Sequence, residues 1–133
     1  MSQSVLAAPE IGDKMEDGAI YAGISPDTNK PMYAASADEG VMLDFNAAAE
    51  RAVEASQKTG EAYRLPTERE LNVLFNNHAA IGGFNNTDNF AMWYWSSETN
   101  FDLGQCSVVQ NFATGKRGYT SLKEEISLRL VRN

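Results

Sequence analysis

The chain holds one cysteine, one histidine and four prolines in 133 residues, and each scarcity excludes something. A lone thiol, Cys106, cannot close an intrachain disulfide, so the core alone must hold the fold, and the pattern suits a reducing compartment. With His78 as the sole histidine, zinc is short of the several Cys or His ligands it needs. Any Ser-His-Asp or Cys-His arrangement would also depend on that one side chain. No apolar run approaches the roughly 20 residues that cross a bilayer. The opening MSQSVLAAPE has no basic residue and does not read as a secretory leader. Basic side chains are scarce as well: 11 Lys and Arg stand against 18 Asp and Glu, a net charge of −7. Such a field repels phosphate backbones and anionic lipid, which argues against direct nucleic-acid or membrane binding. The expectation is a soluble protein, cytoplasmic or carried on a larger particle.

What is present points to one folded unit. The length is that of a single domain, long enough to bury about two-thirds of its unfolded surface. Hydrophobic residues make up 43% and charged residues 22%, a globular balance, and 2 Trp, 5 Tyr and 6 Phe supply large buried surfaces. Residues 1–16 mix small, polar and acidic groups and are expected to form a flexible arm ahead of a domain spanning 17–133.

Within that domain, residues 19–24 read as a strand. The turn-rich run from Ser25 to Pro31 returns it into residues 32–34 as a β-hairpin. Asp44 is placed to cap a helix in which Phe45, Ala48, Ala49, Ala52, Val53 and Ser56 share one face. Gly60 stands where a left-handed cap would end it. The alanines on that face favour close packing over a ligand pocket. Thr67 and Glu70 form a capping box for a second helix, with Leu71, Leu74, Phe75 and His78 on one side. The box accounts for Glu70 without any catalytic role. Residues 79–89 read as loop, followed by strands at 92–97 and 106–112, a turn at 113–115 and a closing strand at 126–132. In that last strand Ile126, Leu128 and Leu130 alternate with Ser127 and Arg129, so one face is expected to be buried. Helices early and strands at both ends give an α+β order.

Several runs together carry a family resemblance: Arg64-Leu65-Pro66-Thr67-Glu68-Arg69-Glu70-Leu71, then Gly82-Gly83-Phe84, then Trp93-Tyr94-Trp95-Ser96-Ser97-Glu98. Gln110-Asn111-Phe112-Ala113-Thr114-Gly115 and Leu128-Arg129-Leu130-Val131-Arg132 complete the order. The chain from Asp17 to Arg132 resembles the bacterial and phage domain of unknown function typified by the C-terminal domain of the Legionella collagen-like adhesin. The resemblance implies a C-type-lectin-like fold, in which two helices flank a twisted, mainly antiparallel sheet and the N- and C-terminal strands lie close together. It is related in fold to the variable proteins of diversity-generating retroelements and, more broadly, to formylglycine-generating enzymes. It implies structural roles for Arg64, Leu65, Pro66, Trp95, Ser96, Ser97, Phe112, Gly115, Arg129 and Arg132, and a changeable display surface at residues 98–105 and 116–119. Leu130 departs from the cysteine expected there in many members.

Chemistry is sparse. Cys106 has no second thiol and no neighbouring base in sequence, so a buried structural cysteine is expected, not a nucleophile. The glycine pair Gly82-Gly83 lacks the lysine and spacing of a phosphate-binding loop. Asn85, Asn86, Asp88 and Asn89 offer oxygen ligands of the kind calcium takes, but a turn-rich polar loop has the same composition. Asp38-Glu39 and Glu124-Glu125 are expected to be solvated. No cofactor, metal or catalytic residue is assigned.

The expected function is therefore non-enzymatic recognition of a protein ligand, associated through the resemblance with phage or prophage. The candidate ligand-binding residues are Tyr94, Glu98, Asn100, Phe101, Asp102, Gln105, Arg117 and Tyr119. Aromatic anchors on such a surface dominate interface energetics. The alternatives are a small freestanding acidic inhibitor that blocks a basic surface of a host complex, a nucleic-acid-handling complex among the candidates, and, as a minor one, a formylglycine-generating-type enzyme using Cys106. Aromatic faces also stack on sugars, which keeps carbohydrate among the ligand classes.

Overall fold

The computed structural model describes residues 9–85, 91–100 (Asn100 as backbone) and 105–133. Among these residues the chain is α+β, with three helices and two three-stranded antiparallel sheets.

The first sheet joins the two ends of the domain. Strand β1 (Ile20–Ile24) pairs with β2 (Pro31–Ala34), and β2 pairs in turn with β6 (Val131–Arg132). Ser25 organises the intervening turn: its hydroxyl accepts from the amides of Asp27 and Thr28. The described part of the expected arm, residues 9–16, makes backbone hydrogen bonds to β1 and the residue before it. Gly12 donates to the Tyr21 carbonyl, Tyr21 to that of Asp13, and Met15 to that of Ala19, at 2.7–2.9 Å. These residues lie beside β1 through one isolated antiparallel bridge, Lys14 to Ile20, and satisfy backbone groups at that edge.

Helix α1 (Phe45–Thr59) starts and stops where its caps require. Asp44 accepts from the Ala47 amide at 2.8 Å, and Gly60 ends the helix in the left-handed region at φ 78°. Ala48 and Ala52 are buried, but Ala49 is exposed and so is Val53, at 57%. The buried stripe is thus narrower than the apolar spacing suggests. Helix α2 (Glu68–Asn76) carries the full capping box. It stops at Asn77, so His78 opens a separate four-residue turn of helix, α3 (His78–Ile81).

The second sheet is a meander of β3 (Trp93–Asn100), β4 (Cys106–Asn111) and β5 (Arg117–Ser121). Strand alternation sends consecutive residues of β3 into two different cores. Tyr94 joins Phe112, Leu71, Leu74, Met32 and Val131. Trp95 joins Ala48, Ala52, Leu65, Val109 and Leu128, with Phe45 edge-on to its ring at 5.6 Å. Both faces of β3 are covered here.

The closing segment departs from expectation. Residues 126–131 are all buried, not one face alone, and the regular strand is confined to Val131–Arg132. The reason lies in its partners. Ile126 bonds Leu43, Ser127 bonds Trp93 and Trp95, the Leu128 carbonyl accepts from Glu39, and the Leu130 carbonyl from Ala35. Separate segments reach it singly, so it threads between the sheets without forming one long ladder.

Candidate recognition surface

Beyond the Trp93-Tyr94-Trp95 triplet, β3 carries an irregularity that aims its far end. Trp95 faces Val109 while Thr99 faces Ser107, so four steps along β3 match two along β4. Hydroxyls hold this bulge. Ser96 donates to the Val108 carbonyl at 2.7 Å, Ser107 donates to the Ser96 and Glu98 carbonyls, and the Ser97 amide donates to Pro66 at 2.8 Å. Such a bulge bends a strand and re-aims the side chains after it. Here it leaves Ser97, Glu98 and Thr99 exposed.

The candidate residues separate into groups. Tyr94 is a correction: it is wholly buried, its ring packs on Phe84 and Phe112, and its hydroxyl donates to Asp38, so it presents nothing to a ligand. The expectation overlooked that the face of β3 opposite Trp95 is covered by α2 and by Phe84. Phe101 and Asp102 lie outside the described residues, and Asn100 is placed by its backbone opposite Cys106. Glu98, Gln105, Arg117 and Tyr119 are exposed. Gln105 takes a positive φ of 58° at the start of β4, and its carbonyl accepts from Leu122 beyond the end of β5. Arg117 and Tyr119 share one face of β5, opposite Gln110 and Val108 of β4. Arg117 reaches Glu68 at the start of α2 at 3.1 Å. Tyr119 is 56% exposed. Strand β5 itself was not expected. Its Arg-Gly-Tyr-Thr-Ser run lacks apolar alternation and forms a strand because β4 offers it an uninterrupted register.

Of the residues to which the resemblance assigns structural roles, Ser97 is exposed and Arg64 half-buried. Leu65, Pro66, Trp95, Ser96, Phe112 and Arg129 are buried. Gly115 has φ 82°, and a Cβ there would stand 2.6 Å from the Phe75 ring, so only glycine fits. Arg132 lies over the Tyr33 ring and pairs with Asp17 at 2.7 Å.

Two buried carboxylates carry more than their sequence contexts suggest. Glu70 is fully buried, and besides capping Thr67 it accepts from Arg64 Nη1 and Nη2 at 2.5 and 2.7 Å and from the Ser25 hydroxyl. Burial alone would raise its pKa, but the hydrogen bonds from Arg64, Ser25 and the Thr67 amide hold it below the usual carboxylate range. Asp38 is the second, and the expectation that it is solvated is wrong. Its carboxylate takes hydrogen bonds from the Tyr94 hydroxyl, the Asn85 amide at 3.1 Å and Arg129 Nη1 at 3.2 Å. Desolvation still pushes its pKa up, and pushes that of Arg129 down. Sequence could have flagged Arg129 as a charged residue within a buried strand. Nothing in the loop around Asp38 singles that residue out.

Reactive groups are few. Cys106 is half-buried, less covered than expected. His78 stacks on Phe75 at 5.2 Å, and its Nδ1 lies 2.6 Å from the Phe75 carbonyl. Among the described residues no group of three or more His, Cys, Asp or Glu side chains comes together as a metal site needs. The calcium candidates Asn86, Asp88 and Asn89 lie outside the described residues. No described helix is long and apolar enough to cross a membrane. An open groove of about 650 Å³ runs beside α1, lined by Phe45, Ala49, Val53, Tyr63, Arg64 and Thr67 among others. Small residues on α1 thus border a concavity that close packing was expected to exclude. No protein-family model and no curated protein matches the chain.

Proposed function

We propose that the chain is a non-enzymatic recognition module of the C-type-lectin-like kind, which binds a protein ligand through the exposed end of its second sheet. The observation that carries this reading is Tyr119. It is a large aromatic side chain, 56% exposed, on a strand paired without a break to β4. Tyr, Trp and Arg are the side chains enriched among the energetic anchors of protein interfaces. Arg117 on the same face, with exposed Glu98 on β3 and exposed Gln105 just before β4, supplies polar groups for a rim. Asn100, Phe101 and Asp102 belong to the proposed surface through the β3–β4 connection. Support for the lectin-like part comes from the sheet that unites β1, β2 and β6, and from two helices preceding a meander in the C-terminal half.

The test is capture of a partner from bacterial lysate by the full chain, at low and high salt, alongside the Phe101→Ala/Tyr119→Ala double variant. The proposal expects a salt-resistant partner that the variant loses while its melting temperature stays close to the parent's. Partner loss accompanied by loss of folding would refute a dedicated surface. A basic partner released by salt would favour the acidic-inhibitor alternative.

A further inference from the structure

The edges of the two sheets differ in how they are finished. In the first sheet, residues 12–15 bond along β1, and Arg64 exchanges both of its backbone hydrogen bonds with Val131 of β6 at 2.9 Å. In the second, the outer side of β3 is taken by Ser127 and by Pro66. No described residue lies along the outer side of β5.

Which groups that edge offers follows from antiparallel alternation. The Lys116 carbonyl accepts from Asn111 at 2.8 Å, and the Leu122 amide donates to Gln105 at 3.2 Å, so even-numbered residues here aim at β4. Arg117, Tyr119 and Ser121 therefore turn their backbone groups outward. The Ser121 carbonyl is taken by the Glu124 amide at 3.1 Å. That leaves the N–H and C=O of Arg117 and Tyr119, and the N–H of Ser121, facing solvent in one row. Natural sheets blunt such edges with charge, proline, bulges or very short strands. This one carries charge only at its start, in Lys116 and Arg117: from there to Ser121 the register is unbroken, no proline interrupts it, and Tyr119 stands exposed at its centre. Lys116 is exposed at its start and forms no ion pair with a described residue, in a chain whose net charge is −7.

We propose that the open edge of β5 takes up an extended segment of the partner protein as an added strand, an apolar side chain of that segment lying beside Tyr119 and an acidic one reaching Lys116. This rests on the recognition reading above and gives it a binding mode, in which main-chain hydrogen bonds supply affinity and alternate side chains supply choice.

The experiment selects binders to the full chain from a library of random linear peptides, then follows amide hydrogen exchange by NMR with the strongest binder. Strand addition expects protection to appear at the Arg117, Tyr119 and Ser121 amides, with no change at Gly118 and Thr120, which already face β4. Tyr119→Pro, which removes an outward N–H and no internal one, should weaken the selected peptide about tenfold beyond the loss with Tyr119→Ala. The exchange measurement on the parent chain stands even if the proline variant fails to fold. Peptides that need the Tyr119 side chain yet leave the outward amides exchanging would overturn strand addition while keeping the recognition surface. A library that yields no binder would also overturn it, and the lysate experiment then judges the surface alone.

Discussion

Glu70 and Asp38 both face an arginine inside the protein, yet their surroundings push them in opposite directions. Glu70 is fully buried, but Arg64 beside it keeps a third of its side chain in water. The carboxylate there collects two guanidinium bonds, a hydroxyl and an amide. At the other site the arginine is the fully buried member and the carboxylate keeps slight exposure. Arg129 divides its donors among Asp38, Ala35 and Gly82, and its Nη2 has no hydrogen-bond partner among the described residues. Donors converge on Glu70, whereas around Asp38 one cation is shared thinly. Burial is the largest influence on both carboxylates, and the hydrogen bonds and opposite charge outweigh it only at Glu70, where both guanidinium nitrogens of one arginine converge with a hydroxyl and an amide.

The comparison breaks most visibly at the arginine. Arg129→Met should cost about 3–5 kcal/mol in denaturant unfolding, because it removes the cation beside Asp38 and the donor to the Ala35 and Gly82 carbonyls at once. A cost close to that of a surface substitution would mean that water replaces the guanidinium. Glu70→Gln should cost less, about 2 kcal/mol, since the amide keeps one acceptor and Arg64 can turn to solvent. The two sites should also differ in sign against pH. Glu70 has a lowered folded pKa, so its contribution is present above its ordinary value of 4.5 and is lost as pH falls through the folded value. Asp38 has a raised folded pKa, so its contribution is present below 3.8 and is lost as pH rises through the folded value. Stability measured across the acid range should therefore fall less steeply for Glu70→Gln than for the parent, and more steeply for Asp38→Asn. Parallel curves for the two variants would refute the contrast.

Much of the framework was legible because its signals are local. Asp44, Gly60 and the Thr67–Glu70 box each act within a few residues, so the helix ends could be read directly. Trp95, to which only the resemblance gave a structural role, is buried. What escaped was set by distant partners. Strand β5 exists because β4 offers it a register, and its own sequence has no periodic signal. The closing segment gains its second buried face from Trp93, Leu43 and Glu39, all far away in the chain. Tyr94 looked like a surface candidate because alternation put it opposite Trp95, and no local pattern reveals that Phe84 and α2 cover that side. On the candidate surface Glu98, Gln105, Arg117 and Tyr119 are exposed, but the unsatisfied edge beside them was invisible. Backbone hydrogen bonds that are missing leave no mark in a sequence.

The smallest expected effect isolates a single donor in this contrast. Tyr94→Phe keeps the ring against Phe84 and Phe112 and removes only the hydroxyl that donates to Asp38. The Asn85 amide and Arg129 remain on the carboxylate, so the cost should be about 1 kcal/mol, that of one hydrogen bond. The more informative measurement is a carboxyl NMR titration of Asp38. Its pKa is already raised by burial, and the hydroxyl is one of the groups that pull it back. Without that donor it should titrate higher still. An unchanged titration would show that this hydrogen bond does not offset burial at Asp38, and the explanation offered for Glu70 would lose its counterpart.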